Sequence, residues 1–453
     1  MNKIEAAQDH LGTMWRENVG LQTSPSHPDY FAENLDLYVA AHLAMDKPDR
    51  ALQEFYIAKQ ATFPQSRFAA HYMLGSHERF GVETKAFDAL HQRVIELPSG
   101  QKVTPLAAPP NRGIAAEQIA NYLSNTIPEK KAAAWVAREF EDLCNVSKAL
   151  YDERSAAMIG GLICQAHVDE LTFRDGILAN RAKGNSTVTV SAGESIDMLN
   201  YARIELGKEV TEPSEKKRLS RKLPRWNFTP VIDVGINSLM AANNEALKRL
   251  ATKYGLGIPD ELWYHMEKTE HALAALVNAE SGFAESHTAD LRPIYNQPKD
   301  PESKSYSIES FLAAARAPEY FDDGTSWAAS ALQQLVEEGH MVVPTFFRYE
   351  NDKYKVNNAV GEGAISPTHN LELARRFFAH NYDSQNLEVA RLLGESTMKL
   401  LEGSEGFPRS FDPVTGEANL GGNALTRRFF SKQELWTPTA AAIVASEPLG
   451  ILG

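Results

Sequence analysis

The stretch Val234-Gly-Ile-Asn-Ser-Leu-Met-Ala-Ala-Asn-Asn-Glu-Ala-Leu-Lys-Arg-Leu-Ala-Thr-Lys-Tyr254, closed by Gly255, decides the fold class. It contains no proline and ends on a residue suited to a helix C-cap, so it reads as one long helix. Pro259-Asp260 opens the next helix, with proline early as its fixed φ allows, and that helix is expected to reach about Ser281.

Working outward, helical patterns dominate both flanks. Residues 2–18 read as a helix that breaks at Thr23-Ser24-Pro25-Ser26-His27-Pro28. Asn34–Met45, Asp49–Gln60 and Ser66–Leu74 place apolar residues at three- and four-residue spacing, with connections short enough for antiparallel packing. The region 114–180 is the densest in helix and includes a run from Ser147 to Leu171 that Gly160-Gly161 divides. Helices are also expected at Ser195–Leu206, Ser326–Glu338, Pro367–His380 and Gln385–Leu401.

Strand signals are few. Val103 marks one short strand, and Thr187-Val-Thr-Val190 alternates as a half-buried strand does. Met341–Tyr349 and Lys353–Val356 flank Glu350-Asn-Asp as a hairpin, with Pro344 arguing for an edge. The fold class is therefore mainly α, multi-helix modules with one or two short β-hairpins.

At 453 residues the chain is long enough for two or three modules. Residues 208–230 carry Pro213, Pro224, Pro230 and a dense basic cluster, and read as a linker. This gives an N-terminal helical module over 1–207 and a C-terminal helical module over 231–453, the latter with the hairpin near 341–356.

Apolar residues make up 43% and charged residues 23%, a globular composition that argues against wholesale disorder or membrane residence. No secretory signal can be read at the start, and no run of 18 apolar residues occurs. The formal charge of −13 opposes a global attraction to phosphate backbones. Two cysteines, Cys144 and Cys164, lack zinc-spaced partners and suit a reducing compartment, cytoplasm or virion.

No phosphate-cradling, dinucleotide, nucleophile-elbow or HExxH motif is present, so no catalytic residue is singled out. The sharpest local departure is Lys216-Lys217-Arg218-Leu-Ser-Arg221-Lys222-Leu-Pro-Arg225 followed by Trp226. Basic groups that neutralise phosphate beside an aromatic that stacks on bases make it a nucleic-acid contact candidate. His and Glu residues concentrate between Glu261 and His287, and Glu267, Glu270 and His271 could share iron or manganese. Against that, the stripe Leu262, Met266, Leu273 and Val277 puts Glu267 and His271 on the polar side. Cys164, His167 and Asp169 read as a core cysteine beside a boundary histidine. The paired Leu373-Ala-Arg-Arg-Phe-Phe and Leu425-Thr-Arg-Arg-Phe-Phe do not establish a repeat.

With no enzymatic signature, the first expectation is a self-assembling structural protein, a helical capsid or nucleocapsid-type shell subunit. It rests on Pro-rich arms, helical modules and one basic strip in an acidic chain. That expectation implies a homo-oligomer with no cofactor, no membrane association and nucleic acid as a partner. The runner-up is a non-haem metal enzyme using the 261–287 cluster. A protein-binding effector or adaptor is third.

Overall fold

The structure is a computed structural model. It describes residues 2–17, 19–22, 30–31, 34–61, 72–74, 95–96, 102–103, 109–156, 158–164, 190–191, 227–228, 231–277, 284–294, 304–321, 328, 332–333, 335, 342–344, 346–350, 353–356, 364–379, 384–413, 415–418 and 435–453. Eleven α-helices lie among them.

Six of these form a closed inner ring. They are α2 (Leu35–Ala44), α4 (Arg112–Thr126), α6 (Val234–Tyr254), α8 (Ile308–Arg316), α9 (Pro367–Ala379) and α11 (Thr437–Ser446). Each packs against the next, and α11 closes on α2. The others lie outside. α1 (Lys3–Met14) packs on α11, α3 (Pro48–Gln60) on α2 and α4, and α5 (Glu129–Arg154) on α4 and α6. α7 (Asp260–Leu273) packs on α5 and α6, and α10 (Ser384–Glu402) on α9. Ala328, Leu332 and Leu335 are helical and buried too. The architecture is mainly α, an inner ring of helices wrapped by an outer one, an (α/α) barrel.

The two layers follow from sequence chemistry. A helix covered on every side must be apolar or small all round, and α8 is buried from Ile308 to Ala315 and α11 from Thr437 to Ser446. Outer helices need only one such stripe, and α7 buries Leu262, Met266, Thr269 and Leu273 while Trp263 and Tyr264 stay exposed. The fully buried Tyr38, Phe55, Phe311, Phe377 and Phe411 belong to one continuous apolar core. Each such side chain contributes roughly 1.5–3 kcal/mol by burial.

Inner helices run parallel. Between α4 and α6, Gly113 N donates to Asn243 Oδ1 at 2.7 Å, Arg249 Nε to Glu117 Oε1 at 2.6 Å and Lys253 Nζ to Asn121 Oδ1 at 3.0 Å. The pairs advance in step along both chains, which only parallel helices allow. Gly113 is required there, since a Cβ would stand 2.6 Å from Asn243 Oδ1.

A structural repeat shows in two of the inner helices. Asn237 and Asn370 each occupy the fourth position of their helix and act as a surrogate strand partner for an incoming loop. Asn237 Oδ1 accepts from Ile163 N at 2.8 Å while its Nδ2 donates to Ile163 O at 3.0 Å. Asn370 treats Val343 the same way, at 2.8 and 2.9 Å. Burying an amide is tolerable only when such bonds are made.

Several sequence expectations hold. Gly255 caps α6 in the left-handed region with φ of 65°. The hairpin forms from Phe346–Glu350 and Lys353–Val356, with Glu350 opposite Lys353. Others are corrected. The helix expected over Ser66–Leu74 ends as a strand, Tyr72–Leu74, paired with Tyr30–Phe31 and Lys102–Val103. The run from Ser147 stops at Arg154 because the chain folds back: Cys164 N donates to Arg154 O, Ala156 N to Leu162 O, and Gly161 takes φ of 90°. The helix from Asp260 ends at Leu273 and tightens into a 3-10 turn, Ala274–Leu276. The described residues also form five small sheets of two to four strands.

Residues 208–226 and the helix expected at 195–206 lie outside the described residues. The described helices on either side of that stretch close together into one ring. No helix among the described residues is long and apolar enough to cross a membrane.

Candidate active site

Because the inner helices are parallel, all six begin at the same end of the barrel. The connections at the opposite end are short, such as Met45–Lys47, Ile127–Pro128 and Gly255–Pro259. Those leading into inner helices are long, spanning 61–111, 155–233, 274–307 and 403–436. Long connections carried on a rigid scaffold are where binding and catalysis concentrate. The helix N-termini add positive electrostatic potential at that mouth.

Four inner helices place carboxylates there or just below. Asp233 is the N-cap of α6. Its Oδ1 accepts from Ile236 N at 2.8 Å and its Oδ2 from Ser286 Oγ at 3.3 Å. It is held from behind, since Val231–Ile232 pair with His287–Thr288, a two-strand brace under the helix start. Glu309, in the first turn of α8, reaches the same spot. A Cβ built on Gly235 would collide with Glu309 Oε2 and lie 3.1 Å from Asp233 Oδ1. Glycine at 235 is thus what lets both carboxylates converge on the start of α6.

Asp36, in the first turn of α2, accepts from Asn111 Nδ2 at 3.4 Å, the residue preceding α4. Its Oδ2 stands 3.7 Å from Arg376 on α9. Burial, then the negative charge of Glu372, push its pKa up, against the pull of Arg376, Arg375 and Arg316. Glu372, on α9, behaves oppositely. Burial alone would raise it, but Arg316 binds both its oxygens, Nε to Oε1 at 2.8 Å and Nη2 to Oε2 at 2.9 Å. The carboxyl is brought down to about 2 by that pair, with help from Arg376 and His369.

Arg316 is the hub. From the last turn of α8 it also donates Nη1 to Gly235 O at 3.2 Å and to Glu309 Oε2 at 3.3 Å. One guanidinium therefore touches α6, α8 and α9, and the chain continues through Glu372 and Arg376 to Asp36 on α2. A planar five-donor fork suits such a junction better than an ammonium. Nearer the rim, Arg409 lies over the Trp436 ring at 4.7 Å from its centroid, just before α11. This is a polar, charge-balanced lumen floor with carboxylates above it, an arrangement able to hold hydroxyl-rich ligands and to move protons.

None of these residues stands out in the sequence. Asp36, Asp233 and Glu309 belong to no local motif. The one signal available is an acidic residue at the start of a helix otherwise apolar all round.

The residues that do stand out in the sequence lie elsewhere. Lys216, Lys217, Arg218, Arg221, Lys222, Arg225 and Trp226 fall outside the described residues. Of the metal candidates, Glu267 and His271 are exposed on the outer wall, and Glu267 Oε1 accepts from Trp263 Nε1 at 2.9 Å. Glu270 is engaged by Lys248. Glu285 and His287 are buried in the brace, where burial pushes the His287 pKa down. No group of three or more His, Cys, Asp or Glu among the described residues could hold a metal ion. The iron or manganese site read from Glu267, Glu270 and His271 is corrected accordingly: α7 is an outer helix, Glu267 and His271 face outward, and Glu270 is instead paired with Lys248 of α6.

Residues 37–431 match the family of mannosylglycerate hydrolase MGH1-like glycoside hydrolase domains. Among solved structures, the GH63 mannosylglycerate hydrolase from Thermus thermophilus in complex with Tris superposes with a TM-score of 0.68 at 19% identity, over 98% of this chain and 99% of that one. The same enzyme in complex with Tris and D-glycerate gives 0.67 at 18% identity, over 98% and 99%. A rhamnosidase from Klebsiella oxytoca with rhamnose bound gives 0.51 at 10% identity, over 98% of this chain and 64% of that one. At these identities the superpositions establish the fold. No curated protein sequence matches. The family match overturns the shell-subunit reading and its capsid and virion setting, and it gives the metal-enzyme alternative no support. Two features behind the shell reading have intramolecular explanations. Within the Pro-containing stretch Ser286–Ser307, expected as an arm, His287–Thr288 pair with Val231–Ile232, and Lys3 Nζ near the N-terminus is tied to Ser404 O at 3.0 Å.

Proposed function

The chain belongs to the family of mannosylglycerate hydrolase MGH1-like glycoside hydrolase domains, and from that premise we propose that it hydrolyses a glycosidic bond at the mouth of its helical barrel. The observation that carries this reading is the set of acidic residues at the starts of three inner helices: Asp233 and Glu309 converge beside Gly235, and Asp36 is linked to them through Arg376, Glu372 and Arg316. Glycoside hydrolysis needs one carboxyl group to protonate the leaving oxygen and a carboxylate to activate water or attack the sugar. Glu372 is excluded from either role by its two-pronged bond to Arg316. We assign the two roles to Asp36 and Asp233. A carboxyl whose pKa is raised by burial, as Asp36's is, suits proton donation near neutral pH.

The substrate class follows from the relatives. The Thermus enzyme is a mannosylglycerate hydrolase and binds D-glycerate and glucose, so a small glycoside with an acidic aglycone is the first candidate here. Arg409 on Trp436 supplies a cation at the mouth of an otherwise acidic chain. A reducing compartment suits Cys144 and Cys164, which are buried, unbonded and pushed up to about 12 by burial.

The test is release of free sugar from a panel of glycosides headed by mannosylglycerate, with Asp36→Asn and Asp233→Asn alongside the wild type. Each substitution is expected to lower kcat/KM by at least about 100-fold. The residue that donates the proton is the one whose loss removes the alkaline limb of the pH profile. A wild-type protein that releases no sugar from any member, or an Asp233→Asn variant as active as wild type, would sink the proposal.

A further inference from the structure

The ionic chain beneath the mouth is more than the barrel's stability requires. Each arginine and carboxylate taken out of water costs several kcal/mol, and replacing buried ion pairs with apolar residues is often neutral or stabilising. Here the chain runs without a break from Gly235 and Glu309 through Arg316, Glu372 and Arg376 to Asp36. Glu309 and Arg316 are buried, whereas three members stay partly accessible: 20% for the Glu372 side chain, 23% for Arg376 and 17% for Asp36.

Resting on the hydrolase reading, we infer that Glu372 and Arg376 are positioning residues for Asp36, fixing where its carboxyl stands in the lumen and which protonation state it presents to substrate. The geometry is specific. Arg376 lies between the two acids, 3.7 Å from Asp36 Oδ2 and 3.8 Å from Glu372 Oε1. Arg316 holds Glu372 at a fixed angle, so Glu372 cannot rotate to follow Arg376 and the spacing to Asp36 is set by the α8–α9 packing.

The groups acting on Asp36 come from a small set. Glu372, Arg375 and Arg376 face it from α9 and Arg316 from α8. From α4 it meets the neutral amide of Asn111, while the neighbouring Arg112 turns to Asp142 at 2.6 Å. α11 carries no titratable side chain. On α3, Glu54 is occupied by Leu21 N and His42. Removing Glu372's charge deletes the repulsive neighbour and leaves three arginines, which favours ionised Asp36. Removing Arg376 does the reverse.

The experiment is a carboxyl carbon-13 NMR titration of the full chain, with Asp36 assigned by its absence in Asp36→Asn. Wild-type Asp36 is expected to titrate above the ordinary aspartate range. Glu372→Gln is expected to lower its midpoint and Arg376→Met to raise it, each by about one pH unit. Arg376→Lys keeps the charge and is expected to restore most of the wild-type value. Should Glu372→Gln fail to fold by circular dichroism, the Met and Lys variants at the partly exposed Arg376 decide the matter between them. An Asp36 midpoint that does not move in Arg376→Met overturns the inference. Midpoints that move as stated, in a protein that cleaves no glycoside, leave the positioning intact and remove only the hydrolase reading.

Discussion

Replacing Arg316 with methionine should destabilise the fold in a way that depends on pH. The guanidinium is 9% exposed, and its loss strips the counter-charge from Glu309, 7% exposed, and Glu372, 20% exposed. Breaking a buried pair by deleting one partner costs about 3–5 kcal/mol, and Arg376, still 3.8 Å from Glu372, keeps the expectation near the lower end. The pKa gives the same scale independently. Glu372 stands at about 2 against an ordinary value of 4.5, which corresponds to about 3 kcal/mol. A folded-state pKa below the unfolded one contributes stability that is present above pH 4.5 and is lost as pH falls toward 2. In the variant only the weaker pull of Arg376 and His369 opposes burial, so most of this contribution is absent throughout. At a melting entropy of roughly 2 cal/mol/K per residue, about 3 kcal/mol is a fall of about 3 °C in Tm at pH 7. The gap should narrow to about 1 °C at pH 3, where the wild type has itself lost most of the benefit. Paired thermal scans at both pH values measure this. Equal gaps at the two pH values, or no gap at pH 7, would refute the argument, since either would mean that Glu372 is not held ionised by Arg316.

Two other perturbations follow from the same geometry. Gly235→Ala would drive a Cβ into Glu309 Oε2, forcing that carboxylate off Arg316. A loss of about 2 kcal/mol is expected from such overpacking, and adding Glu309→Ala should recover part of it in the same thermal scan, whereas a neutral single variant would show that the approach is loose. His10, buried between α1 and α11 and 3.2 Å from Thr437 Oγ1, is lowered to about 4 by burial. Its folded pKa lies below the unfolded value of 6.5, so its contribution is present above 6.5 and fades as pH falls through 4. His10→Gln should therefore flatten the acid side of the stability profile by about 2–3 kcal/mol. An unchanged profile would show that His10 protonates without penalty.

Much of the secondary structure is legible in the sequence because it is local. The Gly255 C-cap, the proline-led starts of α3, α7 and α9, and the alternation around Glu350 each depend on a few adjacent residues. The errors arise where a distant partner decides. Tyr72–Leu74 has helical spacing, yet it becomes a strand because Tyr30–Phe31 and Lys102–Val103 lie beside it. The run through Ser155 is cut by a turn that Ile163 and Asn237 stabilise together.

The candidate site is illegible for the same reason. Asp36, Asp233, Glu309 and Glu372 are ordinary acidic residues in ordinary helices, and each gains its character only from neighbours on other helices. The basic strip and the His/Glu run draw notice because sequence displays density along the chain, whereas a barrel mouth collects one residue from each of several helix starts. By itself the sequence determined a mainly α chain, since hydrogen bonding and apolar periodicity in a helix close within a few residues. Only the tertiary structure decided that the helices form a closed double ring, because ring closure joins α11 to α2 across almost the whole chain. That closure turns scattered carboxylates into a site.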